Sequence, residues 1–238
     1  MFPPNKLSRL PIFCYVTDRK SLAAEGSDRH EALLKRVRSA AAAGIDWIQI
    51  REKDLSGKEL SSLTRDAVAQ TKQINGRDGR TSRILVNERL EVAWSERAGG
   101  VHLGELSLPV HDVRRWLAAK ADVARHDKFL VGVSCHSVRA ATTAAREGAD
   151  YIFFGPVFAT PSKTSFGAPQ GRERLAEVCS SVEIPVLAIG GITVDNASDC
   201  FAAGAAGIAA IRLFQDPAAE DLAALVTDLY AKFPRSSR

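Results

Sequence analysis

Eight short apolar runs, separated by longer segments with helical periodicity, constrain the fold of this chain most strongly. The runs are continuous and contain many β-branched residues, a pattern typical of parallel strands that are covered on both faces. Between them, apolar residues recur at three- and four-residue spacing, as in HEALLKRVRSAAAAG and AEDLAALVTDLYAKF. The candidate strands are IFCYV (12–16), WIQI (47–50), ILVN (84–87), GVHL (100–103), LVGVS (130–134), YIFFG (151–155), VLAIG (186–190) and GIAAI (207–211).

A weak internal repeat indicates how these units are arranged. A small-residue helix end with a glycine precedes a candidate strand four times, at Gly44, Gly99, Gly148 and Gly204. We expect each glycine to end its helix in the left-handed conformation. The glycines divide the chain into four segments, and each segment has room for two strand–helix units. Eight such units predict an α/β fold with a single (β/α)8 TIM barrel. A doubly wound open sheet is the second choice, because no GxGxxG follows the first strand. One domain is expected over residues 1–238, with its core at about 12–232.

Charge, hydropathy and cysteine content argue against a nucleic-acid-binding protein, a membrane protein and a disulfide-bonded protein. The 238 residues carry a formal net charge of +4 that is spread along the chain, and the densest basic stretch, RDGRTSR, has no aromatic residues. This pattern argues against a nucleic-acid partner, and no apolar run reaches the length of a membrane span. Small anionic substrates are compatible with this charge. Four scattered cysteines without a CxxC pair, and no apolar leader, predict reduced thiols in a cytoplasmic protein. These features are compatible with a homo-oligomer and do not require one.

Polar residues that follow the second candidate strand are the first site candidates, because TIM-barrel active sites lie at the carboxyl ends of the strands. Gln49, Arg51 and Lys53 alternate along the chain and therefore face the same side. One amide and two cations at a barrel mouth favour a polyanion such as a pyrophosphate. The alternative is that residues 51–53 are solvated loop charges, and the residues alone do not decide between the two.

Carboxylates follow the third and fourth candidate strands. Asn87 and Glu88 end the third, while Glu105 and Ser107 lie just beyond the fourth. The carboxylate oxygens of Glu88 and Glu105 are ligands of the type that Mg²⁺ prefers. The alternative is that both glutamates open helices, where acidic side chains complement the helix dipole.

The fifth candidate strand ends in Ser134, Cys135 and His136. A histidine at a barrel mouth is a candidate general acid or base, because its pKa lies near working pH, although a structural role is as well supported. Cys135 is interpreted as a packing residue, because no base is identifiable beside it.

Glycines and backbone groups at the last two candidate strands indicate a phosphate site. Gly190 and Gly191 end the seventh strand, and Ile211 and Arg212 follow the eighth. Loops at these places in TIM barrels frequently bind phosphate through backbone N–H groups, which requires close approach of the backbone. The pattern predicts a phosphorylated substrate without specifying which one.

The chain resembles the family of thiamine phosphate synthases and their TenI-type relatives over about residues 12–214. The resemblance rests on an ordered set of motifs: YVTD, IQIREK, VNERLEVA, GVHLG, GVSCHS, GADYIFFGPVFATPSK, IPVLAIGGIT and GAAGIAAI. It implies a barrel enzyme of thiamine biosynthesis that joins hydroxymethylpyrimidine pyrophosphate to a thiazole phosphate. Pyrophosphate is released with Mg²⁺, and the thiazole nitrogen then captures a pyrimidine cation.

The resemblance also implies roles for individual residues. Contacts to the pyrimidine pyrophosphate fall on Gln49, Arg51, Lys53 and Asn87, with Ser134 on the pyrimidine and Lys163 on the pyrophosphate. Contacts to the thiazole phosphate fall on the hydroxyls of Thr160 and Ser162 and on a cup formed by Gly190, Gly191, Ile211 and Arg212.

Three departures from the family pattern bear on the reaction. Glu88 stands where the synthases have an aspartate, Ser107 replaces a metal-binding aspartate, and Arg212 replaces a usual serine. Because a serine hydroxyl is a poor substitute for a carboxylate on Mg²⁺, the metal would rest on Glu88 and Glu105. The TPSK segment and the complete QxRxK motif favour a synthase. Ser107 and His136 favour the alternative, a thiazole tautomerase with His136 as acid and base. A further alternative is a non-catalytic regulator that binds a thiamine precursor.

Overall fold

The computed structural model describes residues 9–22, 28–74, 81–120, 128–160, 168–216, 218–234 and 236–237. Its strands are β1 Arg9–Leu10, β2 Ile12–Val16, β3 Trp47–Ile50, β4 Arg83–Asn87, β5 Gly100–Leu103, β6 Leu130–Cys135, β7 Tyr151–Phe154, β8 Val186–Ile189, β9 Gly207–Ala210 and β10 Ser236–Ser237. Its helices are α1 Arg19–Leu22, α2 Arg29–Ala43, α3 Gly57–Gln73, α4 Leu90–Ser95, α5 Val110–Ala118, α6 Val138–Arg146, α7 Gly171–Ser181, α8 Ala197–Ala202, α9 Arg212–Gln215 and α10 Ala219–Lys232.

Strands β2 to β9 form a closed parallel barrel in chain order. Each strand pairs with the next, and β9 closes the barrel on β2, with Ile12 opposite Gly207 and Tyr15 opposite Ala210. The predicted (β/α)8 barrel is therefore confirmed, and every candidate strand is present with its ends within one residue of the prediction. Parallel pairing accounts for the continuous apolar runs, because helices cover the outer face while side chains fill the interior. The extent of the domain, residues 1–238, stays a prediction.

The structure also contains a two-residue antiparallel ladder outside the barrel, which the sequence patterns do not predict. Strands β1 and β10 pair with Arg9 opposite Ser237 and Leu10 opposite Ser236. Segments of two residues are too short to show an apolar period, so sequence patterns do not reveal them.

Two helices show how local sequence sets the elements. Asp28 caps α2 by accepting from the backbone N–H groups of His30 and Glu31. Ser56 and Glu59 form a reciprocal capping box at the start of α3, which fixes where the chain leaves the β3 loop and enters the helix. The inward faces of such helices pack on the barrel. No helix in the described ranges combines the length and apolar character needed to cross a membrane.

The repeated glycines play two different roles. The left-handed conformation predicted after the helices is confirmed at three of them, with φ of 89°, 96° and 91° at Gly44, Gly148 and Gly204. At Gly99 the prediction is wrong, because Arg97 takes the left-handed conformation there, with φ of 56°. Gly99 is needed for space instead: a Cβ at this position would lie 2.2 Å from Cγ of Arg83.

Candidate active site

A chain of polar side chains crosses the barrel mouth from β3 to the loop after β5. Gln49 donates from Nε2 to Oδ1 of Asn87 at 2.9 Å, and Asn87 donates from Nδ2 to Oε2 of Glu88 at 3.1 Å. The Ser107 hydroxyl donates to Oε1 of Glu88 at 2.8 Å. Glu88 itself has a left-handed backbone, with φ of 61°, which is uncommon outside glycine and often marks functional sites. The predicted residues Gln49, Asn87 and Glu88 are therefore brought together with Ser107.

The amide of Gln49 keeps one polar atom available. The side chain is buried, with 2% of the residue exposed, and Nε2 is bonded to Asn87. Within the described part of the chain, the buried Oε1 atom has no hydrogen-bond partner. A buried acceptor without a donor costs free energy, so this oxygen is suited to accept from an N–H group of a bound ligand.

The two cations of the QxRxK motif flank a buried glutamate. Arg51 is half-buried and Lys53 is exposed, whereas Glu52 is only 5% exposed. Glu52 accepts from the hydroxyl of Thr17 at 2.6 Å and from the backbone N–H of Arg19 at 3.2 Å. Burial raises the pKa of Glu52, while these hydrogen bonds favour the ionised form. The interpretation of residues 51–53 as solvated loop charges is therefore wrong for Glu52.

A cavity of about 240 Å³ opens between the loops after β3 and β4. Its polar rim includes the cation of Lys53 together with Asn87 and Glu88, which join it to the polar chain described above. The full lining is Ile50, Glu52, Lys53, Leu55, Leu60, Asn87, Glu88 and Arg89. An apolar wall beside a few convergent polar groups is the usual make-up of a small-molecule site.

A second polar chain runs from the mouth into the barrel interior. His102 lies with Nε2 2.9 Å from Oγ of Ser134 and with Nδ1 3.1 Å from the hydroxyl of Tyr151. His102 and Tyr151 are buried, so these contacts fix the position of the Ser134 side chain. The sequence motifs did not indicate a role for His102 or Tyr151. Strand alternation places His102 on the inward face of β5, and this signal could have identified it.

His136 and Glu105 form a separate pair after β6 and β5. The His136 ring contacts the carbonyl oxygen of Gly155 through Nδ1, and its backbone N–H donates to Oε2 of Glu105 at 3.0 Å. Because a carbonyl only accepts, Nδ1 carries the hydrogen, and Nε2 faces Glu105 at 3.9 Å. Glu105 is thus engaged by the β6 loop, whereas Glu88 is engaged by Ser107.

The glycines after β8 are packed against the loop after β7. Gly190 and Gly191 have φ of 97° and 67°. A Cβ on Gly190 would lie 2.6 Å from Pro156, and one on Gly191 would lie 2.5 Å from the carbonyl oxygen of Ala159. Asn196 donates from Nδ2 to the carbonyl oxygen of Gly191 at 2.9 Å, which holds the loop from the other side. Only glycine fits this loop, because neighbouring backbone approaches it closely. The predicted approach of a phosphate to these glycines stays a prediction.

The remaining predicted residues fall in three places. Ile211 precedes α9 and accepts at its carbonyl from the N–H groups of Phe214 and Gln215, and Arg212 is the first residue of that helix. Thr160 is half-buried at the end of the described β7 loop. Ser162 and Lys163 lie outside the described residues.

Oxygen donors dominate the rim where a metal is predicted. In the described ranges, no group of three or more His, Cys, Asp or Glu side chains is placed to hold an ion. Glu88 and Ser107 supply a carboxylate and a hydroxyl side by side. Because Mg²⁺ is commonly held by one or two carboxylates together with substrate phosphates, this donor set fits Mg²⁺ that binds with a polyphosphate ligand.

Comparison with known proteins identifies the family. Residues 14–214 match the family model for thiamine monophosphate synthase. A thiamine-phosphate synthase of Methanoculleus marisnigri is 44% identical over 175 residues, which cover 74% of this chain and 76% of the relative. A thiamine-phosphate synthase of Methanocella arvoryzae is 41% identical, with coverage of 79% and 82%.

A solved structure of a related protein also matches the chain. The thiamine phosphate pyrophosphorylase from Pyrococcus furiosus superposes with a TM-score of 0.71 at 29% identity, covering 94% of this chain and 98% of its own. The match therefore extends over both the sequence and the barrel. The resemblance predicted from the motifs is confirmed: the chain belongs to the thiamine monophosphate synthase family.

Proposed function

We propose that this chain is a thiamine-phosphate synthase, a transferase that joins hydroxymethylpyrimidine pyrophosphate to thiazole phosphate and releases pyrophosphate. The family model, the two relatives named thiamine-phosphate synthase and the pyrophosphorylase structure support this activity. The structural observation that carries it is the buried Oε1 of Gln49, which has no hydrogen-bond partner among the described residues and belongs to the same QxRxK motif as the two cations. An aminopyrimidine that bears a pyrophosphate supplies both an N–H donor and a polyanion.

Recognition of the pyrimidine is assigned to Gln49 and Ser134. Oε1 of Gln49 accepts from the amino group, while Asn87 holds the amide in that orientation. If the buried phenol of Tyr151 donates to Nδ1 of His102, then Nε2–H donates to Ser134. The Ser134 hydroxyl is then left to donate to a ring nitrogen. One acceptor and one donor match the edge of a 4-aminopyrimidine.

The chemical step breaks the bond between the pyrimidine methylene carbon and the pyrophosphate oxygen, which keeps the electron pair. The lone pair of the thiazole nitrogen then forms the new carbon–nitrogen bond. Arg51 and Lys53, with Lys163 assigned from the family motif, stabilise the negative charge that develops on the leaving group. The other contribution of the chain is to hold the two substrates within reach of each other.

The thiazole phosphate is assigned to the opposite side of the mouth. Gly190, Gly191 and the backbone at Ile211 and Arg212 form its cup, and the family motif assigns the hydroxyls of Thr160 and Ser162 to the same phosphate. The tight packing of the glycine loop supports a preformed cup, because the loop is held by backbone on one side and by Asn196 on the other. When bound, Mg²⁺ would be held by Glu88 with Ser107 beside it and would neutralise charge on the pyrophosphate.

The decisive experiment measures pyrophosphate release from the two purified substrates, with and without Mg²⁺. We expect thiamine phosphate and pyrophosphate in equal amounts, with faster turnover when Mg²⁺ is present. A non-catalytic regulator would bind thiazole phosphate and release no pyrophosphate.

One observation favours a second candidate, thiazole tautomerisation. The His136 ring is fixed by the Gly155 carbonyl through Nδ1, so the neutral imidazole presents Nε2 as a base beside Glu105. Isomerisation of the thiazole in the absence of the pyrimidine substrate would test this activity.

A further inference from the structure

A short loop after β2 is hydrogen-bonded to two distant parts of the mouth. This loop, residues 17–21, is named here the Thr17–Ser21 strap. It follows the first barrel strand and includes the start of the helical turn α1. In the sequence, only the YVTD motif marks this segment, and it indicates no role for it.

Asp18 and Ser21 of the strap are anchored on Gln215, the last residue of α9. The backbone N–H of Asp18 donates to Oε1 of Gln215 at 3.1 Å, and Nε2 of Gln215 donates to the carbonyl oxygen of Asp18 at 2.9 Å. Nε2 also contacts the hydroxyl of Ser21, and the Tyr15 hydroxyl donates to Oε1 at 2.7 Å. All four bonds involve one buried amide, 4% exposed, so its orientation is fully determined.

This anchor reaches the predicted phosphate cup through the backbone of α9. Gln215 donates its own N–H to the carbonyl oxygen of Ile211 at 3.0 Å, and Phe214 donates to the same oxygen at 3.1 Å. Arg36 donates from Nε to the carbonyl oxygen of Phe214 at 2.9 Å, which ties the short helix to α2. Displacing Gln215 therefore displaces the turn that starts at Ile211.

Thr17 and Arg19, which alternate along the strap with the residues bonded to Gln215, are anchored on the loop that carries the QxRxK cations. The Thr17 hydroxyl donates to Glu52 at 2.6 Å and accepts the backbone N–H of Arg51 at 3.0 Å. The backbone N–H of Arg19 donates to both carboxylate oxygens of Glu52 at 3.2 Å. Outside the strap, Asp54 adds a bidentate ion pair with the Arg19 guanidinium. The positions of Arg51 and Lys53 thus depend on Glu52.

We propose that the Thr17–Ser21 strap couples the thiazole-phosphate cup to the pyrophosphate cations, with Gln215 and Glu52 as the positioning residues that anchor it. The proposal rests on the proposed function, because it takes the two anion sites from there. The two sites lie after β9 and after β3, on either side of β2 in the closed barrel, so a loop leaving β2 is placed to bond to both. Because the residues bonded to Gln215 alternate with those bonded to Glu52, a displacement at one anchor also shifts the neighbouring residues that bond to the other anchor.

The test compares KM for each substrate in Gln215→Met and Glu52→Gln. Each substitution nearly preserves side-chain volume and removes bonds at one anchor. We expect the near substrate to lose affinity about tenfold, the size of one or two buried hydrogen bonds, and the far substrate to lose affinity by about threefold. Gln215→Met therefore raises KM for the pyrimidine pyrophosphate as well as for the thiazole phosphate, and Glu52→Gln does the reverse.

A double-mutant cycle separates coupling from two independent losses. If the strap transmits the effect, Gln215→Met combined with Glu52→Gln raises each KM by less than the product of the single changes. Multiplicative changes, or changes confined to the near substrate, would overturn the proposal. Tyr15→Phe is the matched control, because it removes a buried bond to Gln215 and leaves both Asp18 bonds; its two KM values should stay at the wild-type level.

Two further measurements cover the cases in which a variant does not fold or the wild-type chain lacks the proposed activity. If Gln215→Met does not fold, Gln215→Glu retains the acceptor and removes the Nε2 donor, and the same cross-effect is expected. If the wild-type chain releases no pyrophosphate from the two substrates, the proposed function fails. The strap is then tested with inorganic phosphate and pyrophosphate as probes, and a weakened far-site Kd in the same variants supports it while an unchanged one refutes it.

Discussion

Ser107 donates its hydroxyl hydrogen to Glu88 at 2.8 Å, and the same oxygen accepts the backbone N–H of Gly104 at 2.8 Å. At this position the family resemblance places a metal-binding aspartate. A second carboxylate beside Glu88 would repel it unless a cation lay between them, and the serine removes that repulsion. The rim therefore keeps its shape without a metal, at the cost of one charged ligand.

Restoring the carboxylate should strengthen metal binding. We expect Ser107→Asp to raise the affinity for Mg²⁺ in the presence of pyrophosphate by about tenfold, because one carboxylate is added to the ligand set. The measurement is a Mg²⁺ titration followed both by turnover and by the thermal midpoint of the pyrophosphate complex. Ser107→Asn is the matched control, since it adds a similar volume without charge. Equal Mg²⁺ affinity in the two variants would contradict the assignment.

Removing the buried side-chain oxygen of Gln49 should affect only substrates that carry the amino group. We expect Gln49→Leu to lower kcat/KM for hydroxymethylpyrimidine pyrophosphate by about tenfold or more, the cost of a buried hydrogen bond. An analogue without the amino group should be used equally well by the variant and by the wild-type chain. Equal losses with both substrates would mean that Gln49 acts through packing.

Replacing His136 separates the two candidate activities. We expect His136→Ala to keep synthase turnover within about threefold of wild type, because the synthase step requires no proton transfer from this ring. Thiazole isomerisation, if the chain carries it out, should be abolished. His136→Gln, which can still donate a hydrogen bond to the Gly155 carbonyl, is the control for the position of the loop. Unchanged isomerisation in His136→Ala would remove the tautomerase proposal.

The lysine in the TPSK motif should matter for charge stabilisation. We expect Lys163→Ala to lower the rate of pyrophosphate release by about a hundredfold, the usual effect of deleting one group that stabilises transition-state charge. The circular dichroism spectrum and thermal midpoint should match those of wild type. Lys72→Ala, in the last turn of α3, is the control for loss of one positive charge. Wild-type turnover in Lys163→Ala would refute the assignment.

Cys135 should be chemically inert in the folded chain. Burial, together with the nearby charge of Glu105, raises the pKa of the Cys135 thiol to about 12. The thiolate is therefore scarce at pH 8, and the residue is only 1% exposed. We expect mass spectrometry after iodoacetamide treatment at pH 8 to find Cys135 modified only when the chain is denatured. Rapid modification of Cys135 in the native chain would show that the end of β6 becomes exposed to solvent.

The barrel could be predicted because its signal is local. IFCYV and GVHL are continuous apolar runs that form parallel strands of the barrel. Both faces of such strands are covered, so nearly every residue in them is apolar. The failure at Gly99 is equally instructive. The helix-end pattern is local, but the reason for that glycine is the side chain of Arg83 on a neighbouring strand.

The positions of the strand ends also predicted side chains that meet at the mouth. Gln49 and Asn87 follow from their places at the ends of β3 and β4, and their hydrogen bond agrees with that expectation. Their roles in binding stay predictions until the variants are measured. Ser162 and Lys163 rest on the family motif alone.

The sequence by itself determined the barrel, its strands and the family, because apolar periodicity and ordered motifs are properties of short segments. Only the tertiary structure decided how the polar groups pair. Glu88 meets Ser107, Glu105 meets His136, and Gln215 meets Asp18 from the far end of the chain. Such pairings depend on which loops the closed barrel makes adjacent and on where a buried amide or carboxylate must find a partner, and no local pattern contains that information.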